Sequence, residues 1–408
     1  MPQAIVALGE SKRLVGQLRF ETDGRRQHSQ FEYADEWLKS PDSFAMSPAL
    51  PLRAGSHFNS GKDNLRSALS GCFADAAPDS WGRALMTKVL GGGLSEFDFL
   101  VLSDDKTSHG AMRFLDNDRA PLSRKSPPIP RFVELERLRA LASRFENDPD
   151  GADEAAADLA GAGGSLGGAR PKANVQGDGN LWIAKFTSVR DTKPIERVEV
   201  ATLKLATLCG IRAADATLEL RESDRPIALI KRFDRAGDKR IPYISASTAL
   251  DWQGEQGGYY TDIADVIRQI SNNPIDDLQE LWRRIVFTIL VSNTDDHLKN
   301  HGFIYVGNDR WRLSPAFDVN PSSARHRILE TGIVSGESFD ASLGIALNAC
   351  EFFEWMPVAA RQQACKMANV IADNWKRVLK HEGVTTNDIR AYANAFEHDE
   401  ASEAKSLL

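Results

Sequence analysis

The sequence lacks the long apolar segment that a membrane-spanning helix needs. No run approaches the roughly 20 consecutive apolar residues of such a helix, and the N-terminus, MPQAIVALGESKRL, has polar and charged residues where a signal peptide keeps its apolar stretch. The apolar share of 42% and the charged share of 26% are typical of a soluble globular protein. We therefore expect a cytoplasmic protein without a membrane partner.

Cysteine is scarce, and positive charge is not in excess. The 4 cysteines, Cys72, Cys209, Cys350 and Cys365, form no CxxC pair, and no histidine accompanies them at metal-ligand spacing. Reduced thiols in the core are therefore expected rather than disulfides or a zinc site. The formal charge, 50 minus 57 or −7, argues against a broad nucleic-acid-binding surface.

The chain changes character beyond its middle. In the front part, strands are predicted at residues 14–20, 30–33, 181–186, 218–221 and 227–233. A helix is predicted there from a cap at Asp79 or Ser80 to Val89, and two more at residues 132–145 and 197–209. A proline-containing linker is predicted at residues 116–130. The back part is strongly helical, with helices predicted at residues 263–270, 278–292, 359–379 and 386–395. This division predicts an α+β protein with two lobes.

The strongest functional pattern follows the apolar residues 281–291 and reads N-T-D-D-H-L-K-N. It places Asp295 and Asn300 5 residues apart, with His297 and Lys299 between them. Two short strands are predicted next, at residues 301–306 and 310–313, joined by the turn-forming sequence G-N-D. The segment S-P-A-F-D-V then adds Asp318.

These residues are the groups that phosphoryl transfer requires. One carboxylate must lie near the attacking hydroxyl, and a carboxylate and an amide must hold magnesium against the phosphates. A helix, a loop and a hairpin in this order bring Asp295, Asn300 and Asp318 to one edge, in the order of a protein-kinase catalytic loop and its metal-binding aspartate. A lone D-x-x-x-x-N would favour a polar surface turn. The combination favours a phosphotransferase that uses ATP and Mg²⁺.

Two upstream features support this interpretation. Lys185 lies in the apolar strand W-I-A-K-F, where a kinase lysine reaches the α- and β-phosphates, and Glu199 on the next helix can pair with it. Alone, Lys185 would fit an outward-facing strand position. The glycine-rich segment at residues 161–172, G-A-G-G-S-L-G-G-A-R-P-K, can wrap phosphates with backbone N–H groups, although it lacks the Gly-Lys-Ser/Thr ending of a Walker loop.

A third feature is the segment A-L-I-K-R-F-D-R at residues 228–235. As a strand edge it can offer backbone hydrogen bonds to adenine, with Phe233 packing nearby. Its charged residues Arg232, Asp234 and Arg235 fit a structural role as well as a catalytic role.

The motifs S-L-G-G-A-R-P-K, K-R-F-D-R, N-T-D-D-H-L-K-N and F-D-V together resemble the HipA family, serine/threonine kinases that act as toxins of type II toxin–antitoxin systems. The N-terminal V-G-Q-L-R-F, F-E-Y and P-D-S-W-G-R-A-L-M are similar to the extra N-terminal subdomain of full-length members. The resemblance implies a two-lobed protein-kinase-like fold. Its parts are an N-terminal β-rich subdomain at 1–115, a part like a kinase N-lobe at 116–245 and a helical C-lobe with the catalytic loop at 246–408.

The resemblance also implies a role for each matching residue. Asp295 would be the catalytic aspartate, Asn300 and Asp318 the magnesium ligands, and Lys185 the phosphate-binding lysine. The phosphate and adenine contacts would come from His297, Lys299, Gly167, Gly168, Ala169, Lys231 and Phe233. Ser165 would be autophosphorylated, which expels the glycine-rich segment and inactivates the enzyme, because a dianionic group competes with the ATP phosphates.

Family substrates are typically aminoacyl-tRNA synthetases, and the usual partner is the helix-turn-helix antitoxin HipB, so DNA contact is expected only through that complex. Two departures affect nucleotide and substrate contacts: Lys231 stands where relatives are often acidic, and Y-I-S-A-S at residues 243–247 replaces a Gln-Glu-Asp run. Two other functions remain open. One is a small-molecule kinase of the aminoglycoside- or choline-kinase type, and the other is a pseudokinase that serves as an antitoxin-binding corepressor.

Overall fold

The computed structural model describes residues 2–23, 26–61, 67–123, 128–163, 168–252 and 257–407. The fold is mixed α+β, with a β-rich N-terminal half and a mostly helical C-terminal region, which confirms the predicted class. By compactness the chain divides into unit 1, with Met1–Arg190, Lys231–Gln253 and Ile304–Asp309, and unit 2, with Asp191–Ile230, Gly254–Phe303 and Arg310–Leu408. No helix in the described part of the chain is both long and apolar enough to cross a membrane.

Unit 1 begins with an antiparallel sheet in the strand order β4-β3-β2-β1-β5. Its strands are β1 (Gln3–Leu8), β2 (Arg13–Asp23), β3 (Arg26–Tyr33), β4 (Ser56–Ser60) and β5 (Met112–Leu115). On β2 the buried Leu18 and Phe20 alternate with partly exposed residues, as expected for a strand with one face on the core. β2 pairs with β3 as far as Asp23 opposite Arg26. The strands predicted at residues 14–20 and 30–33 are therefore confirmed and pair with each other, while residues 24 and 25 between β2 and β3 lie outside the described residues.

Six α-helices in the described part of unit 1 precede the strand that begins at Lys172, and the last of them ends in the glycine-rich segment. They are α1 (Asp35–Leu38), α2 (Gly71–Ala76), α3 (Ser80–Leu90), α4 (Glu96–Leu102), α5 (Leu135–Asn147) and α6 (Asp153–Gly163). The helices predicted after Asp79 and over residues 132–145 are confirmed by α3 and α5, the latter preceded by a 3-10 turn at Phe132–Glu134. α6 was not predicted, because its alanine and glycine content resembles a linker; its buried side includes Ala155 and Leu159.

A hairpin follows the glycine-rich segment. Its strands β6 (Lys172–Gly177) and β7 (Asn180–Phe186) pair antiparallel, with Lys172 opposite Lys185. The turn residues Asp178 and Gly179 have φ values of 51° and 71°, and positive φ at both central residues is characteristic of a tight type I′ turn. The strand predicted at residues 181–186 is thus confirmed.

The chain next enters unit 2 and then returns to unit 1. In unit 2 lie α7 (Ile195–Leu208), β8 (Ala216–Glu219) and β9 (Ile227–Lys231) as far as Ile230, and there Val200, Leu218 and Ala228 form a buried cluster. Back in unit 1 are β10 (Arg235–Ala236), β11 (Lys239–Arg240), β12 (Tyr243–Ser245) and α8 (Ala246–Ala249). The strand predicted over residues 227–233 ends at Lys231, so Phe233 lies beyond it.

The rest of the chain is built around a buried helix. After α9 (Tyr260–Ile270) comes α10 (Pro274–Val291), in which Leu281, Trp282 and Ile285 are fully buried, as predicted for this apolar segment. The later elements are β13 (Gly302–Gly307), β14 (Arg310–Leu313), α11 (Leu343–Asn348), α12 (Pro357–His381), α13 (Thr386–Ala391), α14 (Ala393–Phe396) and α15 (Asp399–Lys405). The single helix predicted at residues 386–395 is divided into α13 and α14 at Tyr392.

Candidate active site

Helix α10 leads into the N-T-D-D-H-L-K-N loop through a left-handed residue. Ser292 follows the helix with φ 54° and ψ 45°, and the Asn293 N–H donates to the Thr288 carbonyl at 3.0 Å, as in a Schellman ending. The Ser292 hydroxyl donates to the Ala395 carbonyl at 3.0 Å and accepts from Arg327 Nε at 2.9 Å. The residue directly before the loop is therefore held by hydrogen bonds on two sides.

Asp295 and Asn300 lie at the two ends of a tight turn. The Asn300 N–H donates to the His297 carbonyl at 2.8 Å, and Asn300 Nδ2 donates to the Asp295 carbonyl at 3.0 Å. Because Nδ2 is engaged as a donor, Oδ1 is the atom that Asn300 can offer to a cation. Asn300 is buried, His297 is half-buried, and Asp295 and Lys299 are exposed. An exposed carboxylate is what an incoming hydroxyl must meet.

The loop is anchored from below by Asp296, which the sequence analysis did not single out. Its carboxylate is buried and accepts from the Tyr260 hydroxyl, from Thr288 Oγ1 at 3.3 Å and from His301 Nε2 at 3.1 Å. Burial acts to raise the pKa of Asp296, but the charge and hydrogen bond of His301 outweigh it, so the pKa lies below its ordinary value. Burial, followed by the Asp296 charge, raises the pKa of Tyr260 well above its ordinary value.

The segment with Asp318 is reached through the predicted hairpin. Asn308 and Asp309 connect β13 and β14 with φ 54° each, and at the open end the Ser314 N–H donates to the Gly302 carbonyl at 2.8 Å. Beyond β14, the Ala316 N–H donates to the Arg212 carbonyl at 2.7 Å. These bonds direct the chain back toward the loop rather than away from it.

A buried ion pair on α10 also holds this segment. Arg284 Nη2 donates to the Ser314 carbonyl at 2.8 Å and to Glu280 Oε1 at 3.0 Å. Burial acts to raise the pKa of Glu280, but Arg284 and its neighbours outweigh it and lower the pKa below its ordinary value. Both side chains are buried, so the pair fixes the approach to Asp318 in a dry environment.

Two asparagines connect the loop to Asp318. Asn320 Nδ2 donates to Asp318 Oδ1 at 3.0 Å, and the Asn320 N–H donates to Asn293 Oδ1 at 3.0 Å. Asp318 itself has φ 56°, a left-handed conformation that aspartate tolerates better than most residues. Asn300 and the neighbours of Asp318, Phe317 and Val319, also line one cavity of about 20 Å³. The structure therefore brings together the segments of Asp295, Asn300 and Asp318, as predicted from their order.

The oxygen donors of this site fit a magnesium ion. Asn300 offers an amide oxygen and Asp318 a carboxylate, and such hard donors suit Mg²⁺, which usually takes one or two carboxylates together with substrate phosphates. Asn320 Oδ1 is a buried acceptor beside Asp318 that has no hydrogen-bond partner among the described residues, which a cation or its water shell would satisfy. The described residues contain no cluster of three His, Cys, Asp or Glu ligands. Mg²⁺ commonly completes its coordination with phosphate and water oxygens.

The other predicted site residues are divided between unit 1 and unit 2. Lys185 is half-buried on β7 of unit 1, and Glu199 is buried on α7 of unit 2; their ion pair stays a prediction. Lys231 ends β9, and the ring of Phe233 lies 5.9 Å from that of Tyr243. Also in unit 1, Gly168 and Ala169 are exposed. Ser165 and Gly167 lie outside the described residues.

The charges of K-R-F-D-R have a structural role. Arg232 donates from Nη1 to Asn174 Oδ1 at 2.9 Å and from Nη2 to the Ser108 carbonyl at 3.0 Å. Asp234 accepts from the Gly110 N–H at 2.8 Å. Burial acts to raise the pKa of Asp234, but Arg232 and Arg235 outweigh it and hold that pKa well below its ordinary value. Of the two roles considered for these residues, the structure supports the structural role.

The fold and the loop geometry define a kinase-like protein. Models of the HipA N-terminal domain and of the HipA-like C-terminal domain match residues 6–106 and 164–381. The second match alone spans more than half of the 408 residues. The chain therefore belongs to the HipA family, a family of toxin–antitoxin systems.

Individual relatives agree with this membership. The chain resembles HipA of Shewanella oneidensis MR-1, solved with HipB and operator DNA of a toxin–antitoxin system, with a TM-score of 0.67, 15% identity and coverage of 99% of this chain and 96% of that one. It is 25% identical over 341 residues to a Sinorhizobium fredii protein named "Putative kinase Y4mE", covering 75% of this chain and 74% of that protein. A Haemophilus influenzae protein named "Putative kinase" is 31% identical over 99 residues, 23% of this chain and 29% of that protein.

Proposed function

We propose that this protein is an ATP- and Mg²⁺-dependent serine/threonine protein kinase and the toxin of a HipA-like toxin–antitoxin module. The observation that carries the proposal is the loop in which Asp295 is exposed while Asn300 is buried and fixed by its bond to the Asp295 carbonyl. Hydrogen bonds through Asn293 and Asn320 connect this loop to Asp318, the third residue of the proposed site. Phosphoryl transfer depends on positioning and charge stabilisation rather than on covalent chemistry by the protein, and a rigid loop supplies both.

Each residue has a defined task in this proposal. The Asp295 carboxylate orients the serine or threonine hydroxyl and accepts its proton as the oxygen bonds to the γ-phosphorus and the bond to the ADP oxygen breaks. Asn300 Oδ1 and the Asp318 carboxylate would hold Mg²⁺, which neutralises charge on the phosphates when bound. The phosphates would be contacted by Lys185, with Glu199 as its partner, and by His297, Lys299 and the glycine-rich segment. Lys231 and Phe233 would contact adenine.

The substrate and partner belong to the same proposal. We expect a protein substrate, an aminoacyl-tRNA synthetase by family resemblance, and an antitoxin like HipB through which the chain reaches operator DNA in the cytoplasm. The solved relative in complex with HipB and DNA supports the partner, and the charge of −7 supports indirect rather than direct DNA contact. Phosphoproteomics of cells that produce wild-type protein or Asp295→Asn should show the substrate as a phosphoprotein specific to the wild type.

The deciding experiment measures transfer from γ-labelled ATP to protein by the purified enzyme. Asp295→Asn should lower the rate about 100-fold or more, because it removes the proton acceptor. The control Asp309→Asn changes an aspartate in the β13–β14 turn, where asparagine tolerates the positive φ, and should leave the rate unchanged. Transfer to a small metabolite but not to protein would indicate the small-molecule kinase. Absence of ATP turnover by the wild type would indicate the pseudokinase corepressor.

Autophosphorylation at Ser165 is tested separately. After incubation with ATP, mass spectrometry should locate phosphate on Ser165 in the wild type and none at that position in Asp295→Asn. Ser165→Ala should prolong activity, since the modification would place a dianion where the ATP phosphates bind. Phosphate found only at other residues of an active enzyme would refute this regulation.

A further inference from the structure

Asp79 occupies the N-cap position of α3 without capping it. Its backbone is extended, with φ −87° and ψ −164°, yet among the described contacts its carboxylate forms no capping bond to the helix. Asp79 Oδ2 instead accepts from the Gly168 N–H at 2.9 Å. Aspartate is favoured at N-caps because it satisfies a free N–H of the first helical turn. Here the Asp79 carboxylate binds the backbone of the glycine-rich segment instead of the first turn of α3.

The contact with Gly168 is reciprocal. The Trp81 N–H, which lies in the first turn of α3 where no intrahelical acceptor exists, donates to the Gly168 carbonyl at 3.1 Å. Gly168 has φ 81°, and a Cβ on it would lie 2.5 Å from Lys172 Nζ. Both backbone polar groups of Gly168 are thus bound by the start of α3, at the end of the glycine-rich segment.

The side chain of Trp81 binds the last residue of that segment. Its indole Nε1 donates to the Lys172 carbonyl at 2.9 Å, and this bond is buried. Gly163, the last residue of α6, lies beside this hydrogen bond. A Cβ on Gly163 would lie 2.6 Å from the Lys172 carbonyl oxygen and 3.2 Å from Trp81 Nε1, so no side chain fits there. Asn174 Nδ2 donates to the Ala162 carbonyl at 3.1 Å. The residues on both sides of positions 164–167 are therefore held within unit 1.

We propose that Asp79 and Trp81 are positioning residues for nucleotide binding, which they promote by holding Gly168 and Lys172 in the second half of the glycine-rich segment. This inference rests on the proposed kinase function. A backbone that is already fixed at Gly168 and Lys172 loses less conformational entropy when nucleotide binds beside it, so the nucleotide binds more tightly. The P-D-S-W sequence of the N-terminal part thereby contributes to nucleotide affinity without touching the nucleotide.

The first test follows amide hydrogen exchange without nucleotide, so that it does not depend on catalysis. In Asp79→Ala, exchange of the peptide that contains Gly168 should increase about tenfold, because the N–H loses its acceptor. Asp79→Asn retains a side-chain oxygen and should stay close to the wild type. Asp98→Ala is the matched control: Asp98 belongs to the capping box of α4 in the same part of the chain, so its loss lowers stability without affecting the segment. Unchanged exchange in Asp79→Ala would overturn the proposal.

The second test measures the affinity for a non-hydrolysable ATP analogue with Mg²⁺ by calorimetry. Asp79→Ala and Trp81→Phe should each weaken binding about fivefold or more, while Asp98→Ala binds like the wild type. Trp81→Phe retains the aromatic ring packed against Phe145 and removes the indole donor, so it serves if Asp79→Ala does not fold. Equal affinities in all variants would refute the role in binding. A wild type that binds no nucleotide would refute the proposed function, while the exchange test would still report on the contact.

Discussion

Asn293 and Asn320 join the two halves of the candidate site: the N–H of Asn320 donates to Asn293 Oδ1 at 3.0 Å. Asn293 is the first residue of the loop that contains Asp295, and Asn320 binds Asp318 through Nδ2. Partly buried hydrogen bonds of this kind restrict both segments to one relative arrangement. Asp295 and Asp318, the proposed proton acceptor and a proposed metal ligand, are 23 residues apart in sequence, and these bonds fix the position of one segment relative to the other.

Asn320→Ala should weaken metal binding without unfolding the protein. The change removes the donor that orients Asp318 and the buried Oδ1, which has no hydrogen-bond partner in the part of the chain that the structure describes. Positioning groups behind metal ligands typically contribute about 10–100-fold in affinity. Mn²⁺ binding followed by electron paramagnetic resonance, with a nucleotide analogue present, should show this loss. Asn348→Ala at the exposed end of α11 is the control and should bind Mn²⁺ normally; equal binding by both variants would contradict the assignment.

Asp296→Asn should destabilise unit 2 strongly. The carboxylate accepts hydrogen bonds from Tyr260, Thr288 and His301 in a buried site. In the variant, the side-chain NH₂ group replaces one acceptor oxygen and faces groups that themselves donate hydrogen bonds. A buried polar group left unsatisfied costs about 1–3 kcal/mol, and a broken buried ion pair costs about 3–5 kcal/mol. Urea denaturation gives the free energy of unfolding. Asp265→Asn on the exposed side of α9 should change it by no more than about 0.5 kcal/mol. A similar small change for Asp296→Asn would show that the cluster does not support the loop.

His398 should make the protein sensitive to mild acid. Burial, followed by the nearby charge of Arg327, lowers the pKa of His398 to about 4, below the ordinary value of about 6.5. Above pH 6.5 the imidazole is neutral in both states; as the pH falls toward 4 only the unfolded state gains the proton, so stability is lost across this interval. The loss should be about 1–3 kcal/mol, with part of the effect screened by solvent.

The variant His398→Gln should remove this pH dependence. Glutamine can donate to the Leu290 carbonyl, which lies 3.4 Å from His398 Nε2, but it does not titrate. Urea denaturation at pH 7, 5.5 and 4.5 should show a smaller decline for His398→Gln than for the wild type. His326→Gln, at an exposed position, should decline like the wild type. Parallel curves for all three proteins would contradict the role of His398.

Some elements could be read from the sequence because their signals are local. The apolar periodicity of α10, the turn residues between β13 and β14, and the order of Asp295, Asn300 and Asp318 all lie within one continuous stretch. α6 was missed since its alanines and glycines are compatible with both helix and linker, and only packing of its buried side selects the helix.

By itself the sequence determined the α+β class, the buried helix before the loop and the kinase-like order of polar residues, because hydrophobic period and turn chemistry act over a few neighbouring residues. Only the tertiary structure decided that Asp296 anchors the loop, that Asn320 links Asp318 to Asn293, and that Asp79 binds Gly168 across 89 residues. These partners are distant in the chain and ordinary in residue type. Their roles arise only when folding removes water and leaves each polar group to find its partner within the protein.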